Sequence, residues 1–127
     1  MDISKIDTYI FRLRDNIIMA KITVSIGRAL TSAYILYACR HGGVNGYQLI
    51  HRAKEMLLVS WSAGSFYPQV AALIKSGLLK KKKAAGNRVT FEYQTTPKGI
   101  EYLRRISGYF QHEELRGFFD SLKSGDF

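Results

Sequence analysis

Lys75, the unbroken run Lys80-Lys81-Lys82-Lys83 and Arg88 bring cations so close together in the chain that they cannot neutralise one another. The chemistry they suit is the binding of phosphate, because lysine and arginine gain affinity for a nucleic-acid backbone by releasing its condensed counterions. Just upstream, Ser62, Ser65 and Tyr67 supply hydroxyls and Gln69 an amide. The serines can donate to phosphate near a helix N-terminus, and the amide of Gln69 offers the paired donor and acceptor that an adenine edge presents in the major groove. Tyr67 either reaches phosphate or packs beneath the helix that carries it. Lys75 can reach the backbone, and Lys81, Lys82, Lys83 and Arg88 can approach an adjacent minor groove or its phosphates. Alternation along a strand means that the lysines of the run cannot all face one way.

The distribution of charge agrees. The chain carries a formal net charge of +9, with 19 Lys and Arg against 10 Asp and Glu. From Arg40 to Arg105 there are twelve Lys and Arg against Glu55, Glu92 and Glu101, so this segment alone carries the whole excess. The residues before it hold a small positive surplus and those after it a matching negative one. Catalytic chemistry has no comparable footing. His41, His51 and His112 fall in different elements with no Cys, Asp or Glu at metal-ligand spacing, and no glycine-rich phosphate loop follows a strand. Neither an enzyme nor a bound metal or cofactor is expected. The single cysteine, Cys39, lies in the apolar run Ala33-Tyr34-Ile35-Leu36-Tyr37-Ala38 and reads as a small buried side chain in a reducing compartment.

These residues need a scaffold, and the punctuation of the chain supplies one. Ser65 predicts an N-cap with Pro68 in the first helical turn, and Phe66, Val70, Leu73 and Ile74 form one apolar face with Gln69, Ala72, Lys75 and Ser76 on the other. Gly77 is placed to cap the helix at its C-terminus. Leu78 to Lys83 then reads as a strand, Ala84-Ala85-Gly86-Asn87 as a turn, and Arg88 to Thr95 as a returning strand that alternates apolar Val89, Phe91 and Tyr93 with polar residues. Thr96-Pro97 predicts the N-cap and first position of another helix. Upstream, a helical pattern from Arg28 to Arg40 ends at His41-Gly42-Gly43. Val44 to Tyr47 reads as a turn with Asn45 as N-cap, and a helix from about Gly46 to Leu57 turns Leu49, Ile50, Ala53 and Leu57 inward. Val59 and Trp61 are expected to form a short strand completing the sheet.

At 127 residues and 46% hydrophobic, the chain suits one compact core. The fold class expected is α+β and mostly α: a winged helix-turn-helix with a small hairpin wing and long N- and C-terminal helices. Its divisions are an amphipathic N-terminal helix over 1–25, a DNA-binding domain over 26–96 and a C-terminal helix over 97–127. The two ends carry more apolar surface than the small core can cover. Ile3, Ile6, Ile10, Leu13 and Ile17 form one stripe, and Ile100, Leu103, Ile106, Phe110, Leu115, Phe118, Phe119 and Leu122 another, which Gly108 and Gly117 weaken or bend. The expectation is a homodimer held by these stripes, which would set two reading heads against a two-fold symmetric site.

The chain resembles the PadR family of winged-helix transcription regulators. The matching segments are Ile35-Leu36, Gly46-Tyr47-Gln48-Leu49, Gly64-Ser65-Phe66-Tyr67-Pro68, Leu73 through Gly77-Leu78-Leu79, and Phe91 through Gly99, together covering roughly residues 30 to 105. The resemblance implies a DNA-binding dimer held by its C-terminal helix that occupies promoters, and it adds Tyr47 to the phosphate candidates. The short lysine-rich wing, long N-terminal helix and brief C-terminal region are similar to small archaeal regulators of the PadR-like and MarR-like kind. Double-stranded DNA is thus the expected partner, with an architectural, weakly sequence-specific DNA-coating protein as the alternative. A third reading is a winged helix used for protein interaction. The N-terminus lacks a secretory pattern and Lys21 interrupts the most apolar stretch, so a cytoplasmic, nucleoid-associated protein without membrane contact is expected. No convergent polar cluster marks a pocket for an effector.

Overall fold

The computed structural model describes residues 3–55, 63–84, 86 and 90–127. Helix α1 runs from Ile3 to Ala38, β1 spans Val44–Asn45, α2 Gly46–Glu55, α3 Ala63–Lys75, β2 Leu79–Lys83, β3 Phe91–Thr95, α4 Pro97–Tyr109 and α5 Glu113–Ser124. The fold is a mostly helical winged helix. Its antiparallel sheet has the order β1-β3-β2, with Val44 opposite Tyr93 and Leu79 opposite Thr95.

The N-terminal patterns differ from their expected division. No boundary falls near residue 25, because α1 continues without a break through both patterns, as nothing between Ile3 and Ala38 is a proline. With 36 residues it is about 54 Å long, well beyond the reach of the domain at its end. Its end enters the core through Ile35 and Leu36, followed by Cys39 just past the last turn, while Ile17, Ile18, Ile26, Leu30 and Tyr37 stay more than half exposed. Taken over its whole length, the apolar residues of α1 do not gather on one side.

The core is built around Phe66, which is fully buried with Leu36, Cys39 and Leu49. Val70, Leu73, Leu79 and Tyr93 complete the cluster, and Ile50, Ile74, Leu78 and Leu103 pack against it. Polar atoms at the junctions find partners. The buried Thr95 donates from Oγ1 to the Leu36 carbonyl at 2.6 Å, and its backbone N–H donates to the Cys39 carbonyl at 3.0 Å. The Leu36 carbonyl in the last turn of α1 thereby gains a donor from β3. Burial pushes the Cys39 thiol up to about 12, against a small opposing effect of Arg52. It is a core side chain.

Local sequence sets the element ends. Asn45 Oδ1 accepts from the Gln48 backbone N–H at 2.8 Å while Gln48 Oε1 accepts from the Asn45 N–H at 3.1 Å, a reciprocal capping box that starts α2. Asn45 does this from within β1. The third strand of the sheet is therefore Val44–Asn45, in the segment expected to be a turn: Val44 and Asn45 stand opposite Tyr93 and Glu92 of β3 while the Asn45 side chain caps α2. Val59 and Trp61 lie outside the described residues. Gly77, at φ +76°, ends α3: the Leu78 N–H donates to Leu73 and the Gly77 N–H to Ile74, both at 3.0 Å. Thr96 caps α4 as expected, accepting from Gly99 N–H at 3.1 Å and donating to the Gly77 carbonyl at 2.6 Å. Gly99 sits so close to β2 that a Cβ there would overlap the Leu78 carbonyl oxygen and the Thr95 methyl.

The C-terminal region is two helices, broken after Tyr109. The break comes at Phe110, whose N–H turns back to Ser107, whereas Gly117 is carried inside α5 without interruption. Beyond the break Phe110 stacks on Phe119, with ring centroids 4.3 Å apart. None of the residues of α5 is buried. Among the described residues, no helix is long and apolar enough to cross a membrane.

Candidate nucleic-acid interface

The start of α2, the exposed side of α3 and the sheet meet around one open groove, lined by Gly46, Tyr47, Tyr67, Thr90, Phe91 and Tyr93. Gly46 makes the approach of α2 and α3 close. A Cβ there would come within 3.1 Å of the Tyr67 hydroxyl, so the ring of Tyr67 lies directly against the first residue of α2. Tyr67 is nonetheless 43% exposed, and its edge meets Phe66. Of its two expected roles, it packs beside the neighbouring helix while keeping a free flank. Tyr47, 77% exposed, stacks on His51 one turn later, and His51 meets Glu55 at 3.3 Å on the outer side of α2. Tyr93, at the floor, has its phenol pKa raised, chiefly by burial and secondarily by Tyr67 and Cys39.

Helix α3 begins at Ala63, so Ser65 lies in its first turn instead of at the N-cap, and Pro68 is one turn further in. There the missing N–H leaves a carbonyl of the first turn without its helical partner. The helix presents Tyr67, Pro68, Ala71, Ala72, Lys75 and Ser76 to solvent. Gln69 is not among them. It is half-buried and turned toward α1, where Ser32 Oγ donates to its Oε1 over a long 3.5 Å. The reason lies in the helical period: Gln69 follows Phe66 by three residues and precedes Leu73 by four, which sets it on the flank of the buried stripe. Assigning it to the polar face overlooked that flank. The exposed Ala71, Pro68 and Tyr67, absent or secondary in the sequence reading, occupy the outer face.

All four lysines of β2 are exposed. The strand is an edge of the sheet, and the register separates the lysines by face. Lys81 stands opposite Tyr93 and Lys83 opposite Phe91 on the groove side, while Lys80 and Lys82 stand opposite Gln94 and Glu92 on the back. Lys81 lies over the Phe91 ring with Nζ 3.9 Å from its centroid, a cation–π contact that holds its charge at the rim of the groove. Phe91 itself stays 39% exposed, against the expectation of a buried position, because β3 extends past the helices there. Among the described residues, both ion pairs, His51–Glu55 and Arg105–Glu101, are away from β2, so its lysines have no carboxylate partner. An edge strand of lysines also resists pairing with another sheet. Lys98, by contrast, donates to the Ser76 carbonyl at 2.9 Å and serves as a cap for α3. Ser62 and Arg88 lie outside the described residues, as does the side chain of Ser65.

The residues expected to form a dimer interface are dispersed. Leu103 packs on the core of its own chain, Ile106, Leu115 and Phe119 are half-buried, and Ile17, Phe110, Phe118 and Leu122 are exposed. For Ile3, Ile6, Ile10 and Leu13 only the helical backbone is described. Ile26 and Leu30, one turn apart on α1 and each about half exposed, were not anticipated. Their separation by four residues was the available signal.

Comparison with known proteins places this geometry. A PadR family regulator from Eggerthella lenta superposes with a TM-score of 0.62 at 19% identity, covering 88% of this chain and 95% of its own. A PadR-like transcription factor from Bacteroid fragilis gives 0.63 at 17% identity, covering 80% and 98%. At such identities the likeness is one of fold. No curated protein matches the chain in sequence. The model of the transcriptional regulator PadR-like family matches residues 35–105, the stretch that runs from the last turns of α1 through both strands of the wing into α4. That match takes in more than half of the chain, which therefore belongs to the PadR-like family of transcriptional regulators.

Proposed function

We propose that the protein regulates transcription by binding duplex promoter DNA as a homodimer, with α3 in the major groove and the lysines of β2 on the adjacent backbone or minor groove. Membership of the PadR-like family makes it a DNA-binding regulator. The observation that carries the finer reading is the convergence at one groove of three things: the capped start of α2, Tyr67 from the exposed side of α3, and, through Lys81 over Phe91, a strand whose lysines have no acidic partner among the described residues. The exposed Tyr47 hydroxyl near the start of α2 suits one phosphate, and Lys75 and Lys81 suit others. Ser62, Ser65 and Arg88 are kept as phosphate contacts on the strength of their sequence positions, whereas Gln69 is reassigned to positioning α3 against α1.

The homodimer reading rests on apolar surface. Phe118 and Leu122 on α5, with Ile26 and Leu30 on α1, leave stripes that a second copy would cover. In this division of labour the winged helix within residues 26–96 binds DNA, while 1–25 and 97–127, together with Ile26 and Leu30 at the junction, join the copies, and the protein works at the nucleoid. A second reading, the architectural coat, draws support from the scarcity of hydrogen-bonding groups among the described exposed side chains of α3.

The test is binding of genomic duplex fragments across a salt series by the wild type and by a variant with Lys80 to Lys83 changed to alanine. The wild type should lose affinity steeply with salt, and the variant should show a slope reduced by about one for each phosphate that it no longer neutralises. An unchanged slope removes the wing from the interface. Footprints at discrete sites select the regulator, and continuous protection the coat.

A further inference from the structure

Among the residues of α3 whose side chains are described, from Phe66 onward, the side that faces outward carries little hydrogen-bonding chemistry: Tyr67, Pro68, Ala71, Ala72 and Lys75 are the exposed ones. Successive residues are about 100° apart around a helix, so Ala71 and Ala72 straddle the outward line on which Pro68 and Lys75 lie two turns apart. The amide oxygen of Gln69 is turned to Ser32 Oγ at 3.5 Å on the α1 side, and the hydroxyl of Tyr67 lies beside Gly46 at the base of α2. What meets a ligand at the centre of this face is two methyl groups and a pyrrolidine ring, with a lysine at the far end.

Resting on the DNA-binding reading, we propose that α3 selects its sites by apolar contact with the C5-methyl groups of thymine, Ala71 and Ala72 being the residues that read them. Every base pair presents donors and acceptors in the major groove, and pressing an alanine against them strips water without replacing its hydrogen bonds. The thymine methyl is the apolar group available there, and alanine is a suitable partner for it. Small side chains let the helix backbone approach closely enough for methyl-to-methyl contact, while the surrounding cations, Lys75 and the β2 lysines, hold the duplex against the face regardless of sequence. Recognition is thus divided between residues that hold and residues that select. The selected bases are thymines on either strand, and runs of G·C pairs under α3 are disfavoured.

The decisive probes are two duplexes of equal length, alternating d(AT) and alternating d(AU), which share phosphates, pairing and minor-groove edges and differ in the C5 methyl. Affinity for d(AT) should exceed that for d(AU) by about fourfold for one buried methyl and about fifteenfold for two, with equal salt slopes. In the A71S/A72S variant, whose melting temperature should match the wild type, the ratio should fall toward one. Equal affinity of the wild type for the two duplexes overturns the proposal. So does a ratio that persists undiminished in A71S/A72S, because the methyl then acts through the stiffness and shape of the duplex. Absence of binding to either duplex at low salt overturns the DNA-binding reading itself.

Discussion

Phe66 and Phe118 are the same residue in similar apolar stripes, yet they meet opposite fates. The first is fully buried at the centre of the winged helix, and the second is 54% exposed on α5. Around Phe66, three helices and the three strands of the sheet close on one another, and polar groups at their junctions are satisfied by Thr95, Thr96 and Lys98. Around Phe118, the neighbouring Phe119 offers a tilted ring with its centroid 5.6 Å away, and more than half of the side chain faces solvent. The contrast teaches that an amphipathic period says only that a face must be covered. Whether the cover comes from the same chain or another depends on how much apolar surface the fold can bring to it.

The largest expected effect comes from breaking the closed region. Phe66→Ala should cost about 3–5 kcal/mol, a large part of the stability of a small domain, read as a lowered denaturant midpoint that does not vary with protein concentration. Phe118→Asp should act on the other side of the comparison. It should weaken self-association by about 2 kcal/mol or more, measured by sedimentation equilibrium, and leave the helical circular dichroism of the winged helix in place. If Phe118→Asp instead unfolded the chain as Phe66→Ala does, the two regions would not be distinct.

Smaller changes sharpen the same contrast. Thr95→Val keeps the shape of a buried side chain but deprives the Leu36 carbonyl of its donor, and should cost about 1–2 kcal/mol in chemical denaturation. The least effect near neutral pH belongs to Cys39. Folding raises its thiol from 9.0 to about 12, so the neutral form is favoured in the native state. Its contribution to stability is complete below pH 9 and is lost as the pH climbs from 9 toward 12. A native sample near pH 9 should therefore react with iodoacetamide far more slowly than the unfolded chain, whose thiol is about half ionised there.

Much of the winged helix was legible because its ends are written in local chemistry. Gly77, Thr96-Pro97 and the Asn45-to-Gln48 pair each satisfy helix-terminal groups within a few residues, and the run Phe91 to Thr95 carries its own alternation. The errors arose where neighbours in space decide. Val44–Asn45 pairs with β3 although it reads as a turn, since the partner strand is remote in sequence. Gln69 reads as polar and outward, but its place on the flank of the Phe66 stripe turns it to Ser32 of α1. The wing lysines could be recognised as a basic cluster, while their assignment to opposite faces needed the register against Tyr93 and Glu92.

The amino-acid sequence by itself determined the positive excess over the central segment, the helix caps and the apolar periods, because these depend on residue type and spacing along the chain. Only the tertiary structure decided which apolar faces are closed, which side of α3 is presented, and that this side is built from alanine and proline instead of glutamine. Exposure is a property of what packs alongside, and residues brought together from α1, α2 and β3 set it for α3.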